Sequence, residues 1–448
     1  MKIVLISTYE LGRQPFGLAS PAAWLRAEGY PEGYQVTCVD LACGILPRSA
    51  VAEADLVAFY LPMHTATRLA VKAMEKVQAL NPDSHLCCYG LYAPMNAPYL
   101  RELGVKTVLG GEFEQGLCDL ARRLASGQNG RQREPLISLD RQKFRVPDRS
   151  GLPSFERYAK LLVGGEEKLV GYTEASRGCK HLCRHCPIVP VYNGTFRVIE
   201  REVVMEDIRR QVASGAQHIT FGDADFFNGP GHAVAIVEAL HAAHPAITYD
   251  ATIKIEHLLR HQDLLPVLKR TGCLFVTSAV ESIDDAVLEK LAKGHTRADF
   301  IETVRVMRRA GLTLAPTFVT FTPWTSWTGY RELLQLLIDL DLVENVGPIQ
   351  LAMRLLIPAG SLLLDLAEIR EIIDPFDPAA LSYPWQHSDP SLDDLCIRIQ
   401  KLIQHEERRK ATRTGIFGKI WELAHDRPPD FHLASRATIP YLNEPWYC

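Results

Sequence analysis

Strand-like and helix-like patterns alternate along the first 126 residues. Short apolar runs predict strands at 2–8, 36–41, 55–61 and 85–89, and longer segments predict helices at 15–28, 65–80 and 112–124. Such alternation produces a parallel sheet with helices on both faces. Residues 1–126 are therefore predicted to form a doubly wound α/β domain of about five strands, which binds ligands at the carboxyl ends of its strands.

The alternation resumes at residue 169, after a polar stretch at 127–168 whose Gly, Pro and Arg residues predict a linker. Six further strands are predicted at 169–175, 218–222, 248–253, 274–280, 313–321 and 348–352, with helices between them. This order predicts a partial (β/α)6 barrel over residues 169–360, with its chemistry at the carboxyl ends of the strands.

Residues 361–448 lose the alternation and predict a helical and irregular C-terminal extension. The clearest element is an amphipathic helix at 391–410, for which Ser391 and Asp394 form a capping-box-like start.

Three cysteines follow the first predicted barrel strand at the spacing Cys179-x3-Cys183-x2-Cys186. Thiolates at this spacing can converge from one loop on three irons of a cubane cluster and leave the fourth iron open for a substrate. Two alternatives stay open: a redox dithiol made of Cys183 and Cys186, or a zinc site that takes a further ligand from His181 or His185. An electron-transfer cluster would normally use a fourth cysteine, and none lies nearby in the sequence.

Composition narrows the class of protein. The 448 residues are 47% hydrophobic and 23% charged, as in globular proteins, and the net charge of -4 does not favour nucleic acid as a partner. The sequence has no apolar stretch near the roughly 20 residues of a membrane span, and its N-terminal apolar run is too short for a signal peptide. We therefore expect a cytoplasmic protein, in which eleven cysteines indicate metal binding or catalysis rather than disulfides.

The cysteine motif resembles the signature of radical S-adenosylmethionine (SAM) enzymes. The resemblance includes the aromatic His185 before the last cysteine, the lead-in Ser176-Arg177-Gly178, Pro187 and the downstream Arg197. It implies a [4Fe-4S] cluster on Cys179, Cys183 and Cys186, whose open iron chelates SAM. It further implies a one-electron reductase of flavodoxin or ferredoxin type and a radical reaction on a small molecule.

The same resemblance places other residues near SAM. Gly222 and Asp223 fall where relatives carry a Gly-Gly-Glu or acidic motif that meets the methionine amino group. Glu281 and Ser282 resemble a fourth-strand Glu-Ser motif near the SAM ribose and carboxylate. Arg354 ends the last predicted strand, where it either holds an anionic substrate group or forms a structural ion pair.

The N-terminal domain resembles the cobalamin-binding domain of one radical SAM subclass. Domains that ligate cobalt from below use Asp-x-His-x-x-Gly, and here Ser7 and Tyr9 occupy the Asp and His positions ahead of Gly12. The resemblance therefore leaves open whether cobalamin is bound.

A narrower resemblance is to the CUAEP/CCAEP-tail radical SAM proteins, carried by residues 7–15, 226–232 and 350–358. Members of that group end in Cys-Sec-Ala-Glu-Pro or Cys-Cys-Ala-Glu-Pro. We therefore expect that a selenocysteine codon read as a stop follows Cys448, the alternative being a plain frayed terminus. Three hypotheses remain: a cobalamin-assisted radical SAM enzyme, a radical SAM enzyme without cobalamin, and an iron–sulfur or zinc binding protein without radical catalysis.

Overall fold

The computed structural model describes residues 1–28, 33–128, 132–429 and 440–443. Two α/β units follow one another along the chain, and each is built on a sheet of mainly parallel strands. Among the described helices, none combines the length and the apolar character that a membrane span requires.

The N-terminal unit contains a six-stranded parallel sheet in the order β2-β1-β3-β4-β5-β6. Its strands are β1 (Lys2–Ser7), β2 (Gln35–Asp40), β3 (Leu56–Tyr60), β4 (His85–Tyr89), β5 (Thr107–Gly111) and β6 (Ile137–Ser138). Its helices are α1 (Phe16–Glu28), α2 (Arg48–Ala52), α3 (His64–Leu80), α4 (Tyr92–Met95), α5 (Ala97–Glu102) and α6 (Phe113–Ala125).

Helices cover both faces of this sheet. Alternate residues of β1 belong to opposite cores, so that Val4 packs in the cluster of α3 and Leu5 in the cluster of α1 and α6. Burial on both faces explains why β3 is a continuous apolar run and why every residue of β4 is buried. The predicted doubly wound α/β architecture is confirmed.

Strands β5 and β6 were not among the predicted elements. Gly110 and Gly111 end β5 directly ahead of α6. A Cβ atom on Gly110 would lie 2.5 Å from the ring of Pro94, and Gly111 has φ +70. Strand β6 comes from the predicted linker and extends the sheet.

The second unit contains a seven-stranded sheet in the order β14-β13-β12-β11-β8-β7-β15. Its strands are β7 (Lys160–Val163), β8 (Glu166–Thr173), β11 (His218–Phe221), β12 (Thr248–Thr252), β13 (Cys273–Glu281), β14 (Thr313–Phe318) and β15 (Tyr441–Leu442), and a separate hairpin is formed by β9 (Ser176–Gly178) and β10 (Phe196–Val198). Its helices are α7 (Val189–Tyr192), α8 (Arg201–Ala213), α9 (Pro230–Ala243), α10 (Ile255–Arg260), α11 (Leu265–Arg270), α12 (Asp285–Lys290), α13 (Arg297–Arg309) and α14 (Trp327–Asp339).

Strands β8, β11, β12, β13 and β14 are parallel and form the partial barrel, whereas β7 and β15 add antiparallel pairs at one edge. One face of this sheet packs against the helices through Ile219, Tyr249 and Val276. Strand geometry directs the alternate residues to the other face, and these include His218, Thr220 and Asp250. A polar inner face is what a partial barrel with an internal ligand requires.

The predicted strand at 348–352 is wrong, because Pro348–Ala352 is a 3-10 helix. Pro348 lacks an N–H for a strand ladder and is suited to the first position of a helix. An isolated parallel bridge between Phe321 and Arg354 continues the sheet beyond β14.

The described part of the C-terminal extension is helical, with α15 (Ala367–Ile372), α16 (Pro390–Arg408) and α17 (Arg413–His425). The predicted helix at 391–410 is α16, but its predicted cap is wrong. Asp389 is the N-cap, and its carboxylate accepts the Ser391 N–H at 3.0 Å. Leu395 and Ile399 of α16 and Phe417 of α17 pack into the core of the second unit.

Candidate active site

The three cysteines of the motif lie in one loop held by a short hairpin. Strands β9 and β10 pair antiparallel, and residues 179–186 between them form what we call the cluster loop. The Cys179 N–H donates to the Thr195 carbonyl at 3.1 Å, which closes the hairpin at its first cysteine. Gly178 has φ +74, and a Cβ atom there would collide with the same carbonyl. The hairpin follows β8, so the cluster loop lies at the carboxyl end of the barrel strands, as predicted.

Cys179 and Cys186 of the cluster loop lie in an environment that disfavours free thiolates. Burial raises the pKa of Cys186 to about 12 and also raises the pKa of Cys179. Lys293 is buried nearby, and the Glu281 carboxylate beside it raises the pKa of its ammonium group against the effect of burial. A bound metal would supply the additional positive charge that stabilises three thiolates. These residues therefore fit a metal cluster.

Within the described residues, the three thiols do not form a convergent group that could hold a single zinc ion. Tetrahedral zinc with Zn–S bonds of about 2.3 Å would hold its sulfur atoms about 3.8 Å apart. Among the described residues, the only three-ligand group within 4.8 Å is one of two histidines and an aspartate, and it contains no thiol. The two histidines of the zinc alternative also point elsewhere, because His185 binds Glu281 and His181 faces Asp225.

Glu281 ties the cluster loop to the end of β13. One of its carboxylate oxygens lies 3.1 Å from His185 Nε2 and 3.3 Å from Lys293 Nζ, so both residues donate to it. Burial alone would raise the pKa of Glu281, but Lys293 and His185 outweigh it and lower the pKa to about 2. Glu281 is therefore an ionised carboxylate beside the cluster loop.

Gly222 and Asp223 follow β11 and support the start of the hairpin. The Asp223 carboxylate accepts the Ala175 N–H at 3.0 Å and the Ser176 hydroxyl at 2.5 Å. Burial raises the pKa of Asp223 to about 6, against the effect of these hydrogen bonds. A Cβ atom at Gly222 would overlap the Tyr172 hydroxyl, which explains the need for glycine.

Three other residues from the sequence analysis have different partners. The Ser282 hydroxyl accepts the Asp284 N–H at 3.0 Å ahead of α12, and Arg197 donates to the Leu139 carbonyl at 2.5 Å. A role of Ser282 or Arg197 in cofactor binding stays a prediction. Arg354 pairs with Asp393 and stacks on Trp385, which is the structural alternative for that residue.

Two buried groups were missed in the sequence. Arg177 contacts Glu112 and Glu114 of the N-terminal unit and Glu174 after β8, at 3.2, 2.7 and 2.7 Å. The second group, His181, Asp225 and His257, comes from three separate segments of the barrel. Sequence spacing carries no signal for either group, since only the fold brings the segments together.

One cavity adjoins the site, and a second opens inside the barrel. One of about 180 Å³ lies between the carboxyl edges of the two sheets, where Tyr60 and Phe113 face Arg177 and Tyr192. The other, of about 580 Å³, opens on the inner face of the partial barrel and is lined by Asp250, Thr277 and Thr317 together with basic residues. The larger cavity has the size of a small-molecule site.

Comparison with known families defines the class of protein. Residues 173–326 match the sequence model of the Radical SAM superfamily. The matched segment contains the hairpin, the cluster loop and the strands from β11 to β14, so the chain contains a radical SAM domain.

Particular relatives extend the likeness beyond that domain. Hopanoid C-3 methylase of Methylococcus capsulatus is 25% identical over 315 residues, which cover 67% of this chain and 60% of the methylase. This chain therefore spans about three fifths of that relative's length. The cobalamin-dependent radical SAM enzyme OxsB, solved with aqua-cobalamin, has a TM-score of 0.68 at 15% identity over 90% of this chain and 67% of its own. The methyltransferase TsrM of Kitasatospora setae, solved with tryptophan and a SAM analogue, has a TM-score of 0.63 at 16% identity over 85% and 83%. These likenesses confirm the predicted fold class across both units.

Proposed function

We propose that this protein is a radical SAM enzyme that acts on a small molecule. The observation that carries the proposal is the cluster loop, held by β9 and β10 at the carboxyl end of the barrel with Glu281 and Lys293 beside it. In such enzymes the cluster supplies the electron that cleaves SAM into methionine and a 5′-deoxyadenosyl radical. The match of residues 173–326 to the superfamily supports this chemistry.

The residues of the chain would act by binding and positioning. Cys179, Cys183 and Cys186 would hold three irons, and His185 would orient the loop through its hydrogen bond to Glu281. Asp223, ionised above its pKa of about 6, would pair with the amino group of SAM. The cavity of about 580 Å³ on the inner face of the barrel would bind the substrate.

An electron donor would dock on the exposed side of the cluster loop. Leu182 is 48% exposed and its neighbour Lys180 is exposed as well. An apolar residue flanked by a basic one suits a small acidic protein of flavodoxin or ferredoxin type. Replacement of Leu182 by Asp should then slow reduction by flavodoxin and leave reduction by dithionite unchanged.

Anaerobic reconstitution tests the radical SAM proposal. We expect roughly four irons per chain, a spectral change on addition of SAM, and 5′-deoxyadenosine under dithionite, detected by mass spectrometry. Alanine at position 179, 183 or 186 should abolish SAM cleavage, whereas Cys118→Ala, far from the loop in the N-terminal core, should retain it. A protein with a full cluster that never cleaves SAM would refute the proposal.

Cobalamin assistance is the second candidate function. The cavity between the carboxyl edges of the two sheets favours it, as does the likeness to OxsB, which was solved with aqua-cobalamin. As packed, however, this cavity of about 180 Å³ is below the size of sites for drug-sized ligands, so a corrinoid does not fit without separation of the two units. We therefore assign no step to cobalamin. Equilibrium dialysis of the reconstituted protein with hydroxocobalamin distinguishes the candidates, because only the cobalamin-assisted enzyme retains it.

We further propose that the protein works in the cytoplasm, where the ten cysteines that the structure describes, all outside disulfide bonds, stay reduced; cell fractionation tests this location. The selenocysteine tail stays a prediction, since Cys448 lies outside the described residues. The codons after Cys448 test it, because the CUAEP resemblance requires an Ala-Glu-Pro frame beyond a UGA codon.

A further inference from the structure

Two histidines and one aspartate converge beside the cluster loop. His181 belongs to that loop, Asp225 follows β11, and His257 lies on α10. Asp225 Oδ2 is 2.7 Å from His257 Nδ1 and 3.6 Å from His181 Nε2, and the three atoms all lie within 4.8 Å of one another. Asp225 and His257 are 2% and 5% exposed, so the group is built into the protein interior.

The three facing atoms lack hydrogen-bond partners. Asp225 Oδ2, His257 Nδ1 and His181 Nε2 are buried, and none has a hydrogen bond within the described part of the chain. The contact of 2.7 Å between Asp225 and His257 does not have the alignment of a hydrogen bond. The other carboxylate oxygen, Oδ1, is used differently, because it accepts the Phe227 N–H at 3.1 Å. Buried polar atoms without partners are rare in folded proteins and call for an explanation.

A metal ion satisfies all three atoms at once. Two imidazole nitrogens and a carboxylate oxygen are common ligands of zinc and of ferrous iron, with metal–ligand distances of about 2.1 Å. Tetrahedral ligands at that distance are about 3.4 Å apart, between the two separations from Asp225 Oδ2. We propose that His181, Asp225 and His257 bind one divalent transition-metal ion, zinc or ferrous iron, at a site separate from the three thiols.

Charged residues beside His181 determine which of its two ring nitrogens is free to bind a metal ion. Lys254 Nζ lies 3.0 Å from His181 Nδ1 and 3.4 Å from Glu256, and Glu256 lies 3.9 Å from the same nitrogen. In this structure the Lys254 ammonium donates to His181 Nδ1. Metal binding through Nε2 would place the imidazole proton on Nδ1, so Lys254 would have to turn from Nδ1 to Glu256, and the Glu256 carboxylate would have to move closer to accept that proton. A carboxylate that receives the second N–H of a ligating histidine is the usual arrangement around bound metals.

The ion would anchor the cluster loop to the barrel. His181 lies between Cys179 and Cys183, whereas the two other ligands belong to segments after β11 and β12. One ion would therefore fix the loop to two barrel segments and restrict the positions of the neighbouring thiols. Three protein ligands also leave a coordination position for water or substrate.

Zinc binding by the reconstituted protein tests the site. The holoprotein is passed over a chelating resin, titrated with zinc alone, desalted and analysed for zinc and iron by mass spectrometry. We expect one zinc per chain in addition to the cluster iron. Asp225→Asn and His257→Gln should each weaken zinc binding at least 100-fold, since each removes a direct ligand. His261→Gln is the matched control, because His261 neighbours His257 with ring centres 6.0 Å apart but is outside the group.

Cobalt spectroscopy gives a second readout that needs no variant. Wild-type protein loaded with Co²⁺ should show the ligand-field bands of a nitrogen and oxygen site without a thiolate charge-transfer band. Absence of saturable zinc binding, zinc binding by the two ligand variants as tight as by the wild type, or a thiolate band would overturn the proposal. Cluster iron and SAM cleavage are measured separately, so failure of this site is distinguishable from failure of the radical SAM function.

Discussion

Glu281 adopts a backbone conformation that is costly for any residue other than glycine. Its φ of +68 lies in the left-handed region, where a side chain costs about 1–2 kcal/mol. Such a conformation persists when surrounding contacts determine it. Here the hydrogen bonds from His185 and Lys293 hold the carboxylate, and the residue stands at the end of β13 beside the cluster loop.

Glu281→Gln is expected to destabilise the protein in a pH-dependent way. A pKa lowered from 4.5 to about 2 corresponds to about 3 kcal/mol of folding stability, because glutamine cannot carry the charge that Lys293 needs. A lowered pKa contributes stability above pH 4.5 that is lost as the pH falls towards 2. The difference in the free energy of unfolding between wild type and variant should therefore be largest at pH 7 and should shrink below pH 4.5. Urea unfolding followed by circular dichroism measures it, and Glu289→Gln on the exposed side of α12 should show no such difference.

The raised pKa of Asp223 predicts that SAM binding depends on pH. Burial raises the pKa of Asp223 to about 6, and the carboxylate is ionised above that pH. Because the pKa is higher in the folded protein, this group lowers the free energy of unfolding as the pH rises through about 6. A protonated Asp223 cannot pair with the SAM ammonium group, and the Kd for SAM should rise by up to about tenfold per pH unit below pH 6. Isothermal titration of the reconstituted protein between pH 5 and pH 8 measures this. Asp223→Asn should bind weakly with a flat pH profile; a variant with the wild-type profile would exclude Asp223 as the cause.

At the scale of elements, the β9–β10 hairpin determines where the cysteines lie. The spacing of the cysteines predicts one loop, but it does not predict that two three-residue strands pair around it. This pairing depends on contacts between residues about 20 positions apart, such as Ser176 with Val198. Local pattern shows no sign of such short strands, because three residues are too few for an alternation.

Comparison of two glycines of the hairpin distinguishes the effect of backbone strain from that of steric crowding. Gly178 and Gly194 have φ +74 and +78, but only at Gly178 would a Cβ atom collide with the Thr195 carbonyl. The nearest atom at Gly194 is 3.5 Å away. Gly178→Ala should therefore cost at least about 2 kcal/mol and reduce cluster iron, whereas Gly194→Ala should cost only about 1 kcal/mol. Iron content and urea midpoints of both variants test this. Equal losses in the two variants would contradict a role for crowding.

Periodicity predicted most of the long elements, since helices and buried strands repeat a local pattern. The predicted strand at 85–89 agrees with β4, and the predicted helix at 65–80 differs from α3 by one residue. One failure occurred where a residue type has two uses, because Pro348 begins a 3-10 helix rather than joining a strand. At the site, motif spacing identified the cysteines, but the convergence of His181, Asp225 and His257 depends on the three-dimensional fold.

At the scale of the whole molecule, Arg177 connects the two units. Its guanidinium is 7% exposed and contacts carboxylates from both units. Burial raises the pKa of Glu112 and of Glu174 to about 7, even with Arg177 beside them. Burial alone would also raise the pKa of Glu114, but the ion pair and hydrogen bond with Arg177 outweigh burial and lower that pKa. One cation therefore balances a buried acidic group at the junction of the two sheets.

Arg177→Met should uncouple the two units while it preserves the volume of the side chain. Removal of one partner from a buried ion pair costs about 3–5 kcal/mol, since it leaves buried carboxylates without a cation. We expect faster proteolysis within residues 132–168 and two unfolding transitions in place of one. Because the raised pKa values of Glu112 and Glu174 lie near 7, more of their negative charge is unpaired above pH 7 in the variant. The loss of stability should therefore be larger at pH 8 than at pH 6.

Arg122→Met is the control, because Arg122 is 58% exposed and its pairs with Glu28 and Asp119 should contribute under about 1 kcal/mol. A single transition with unchanged protease resistance in Arg177→Met would show that Arg177 is not what holds the units together, and Arg149, which donates to Gln14 and pairs with Asp207 of α8, would then be the next polar link to remove.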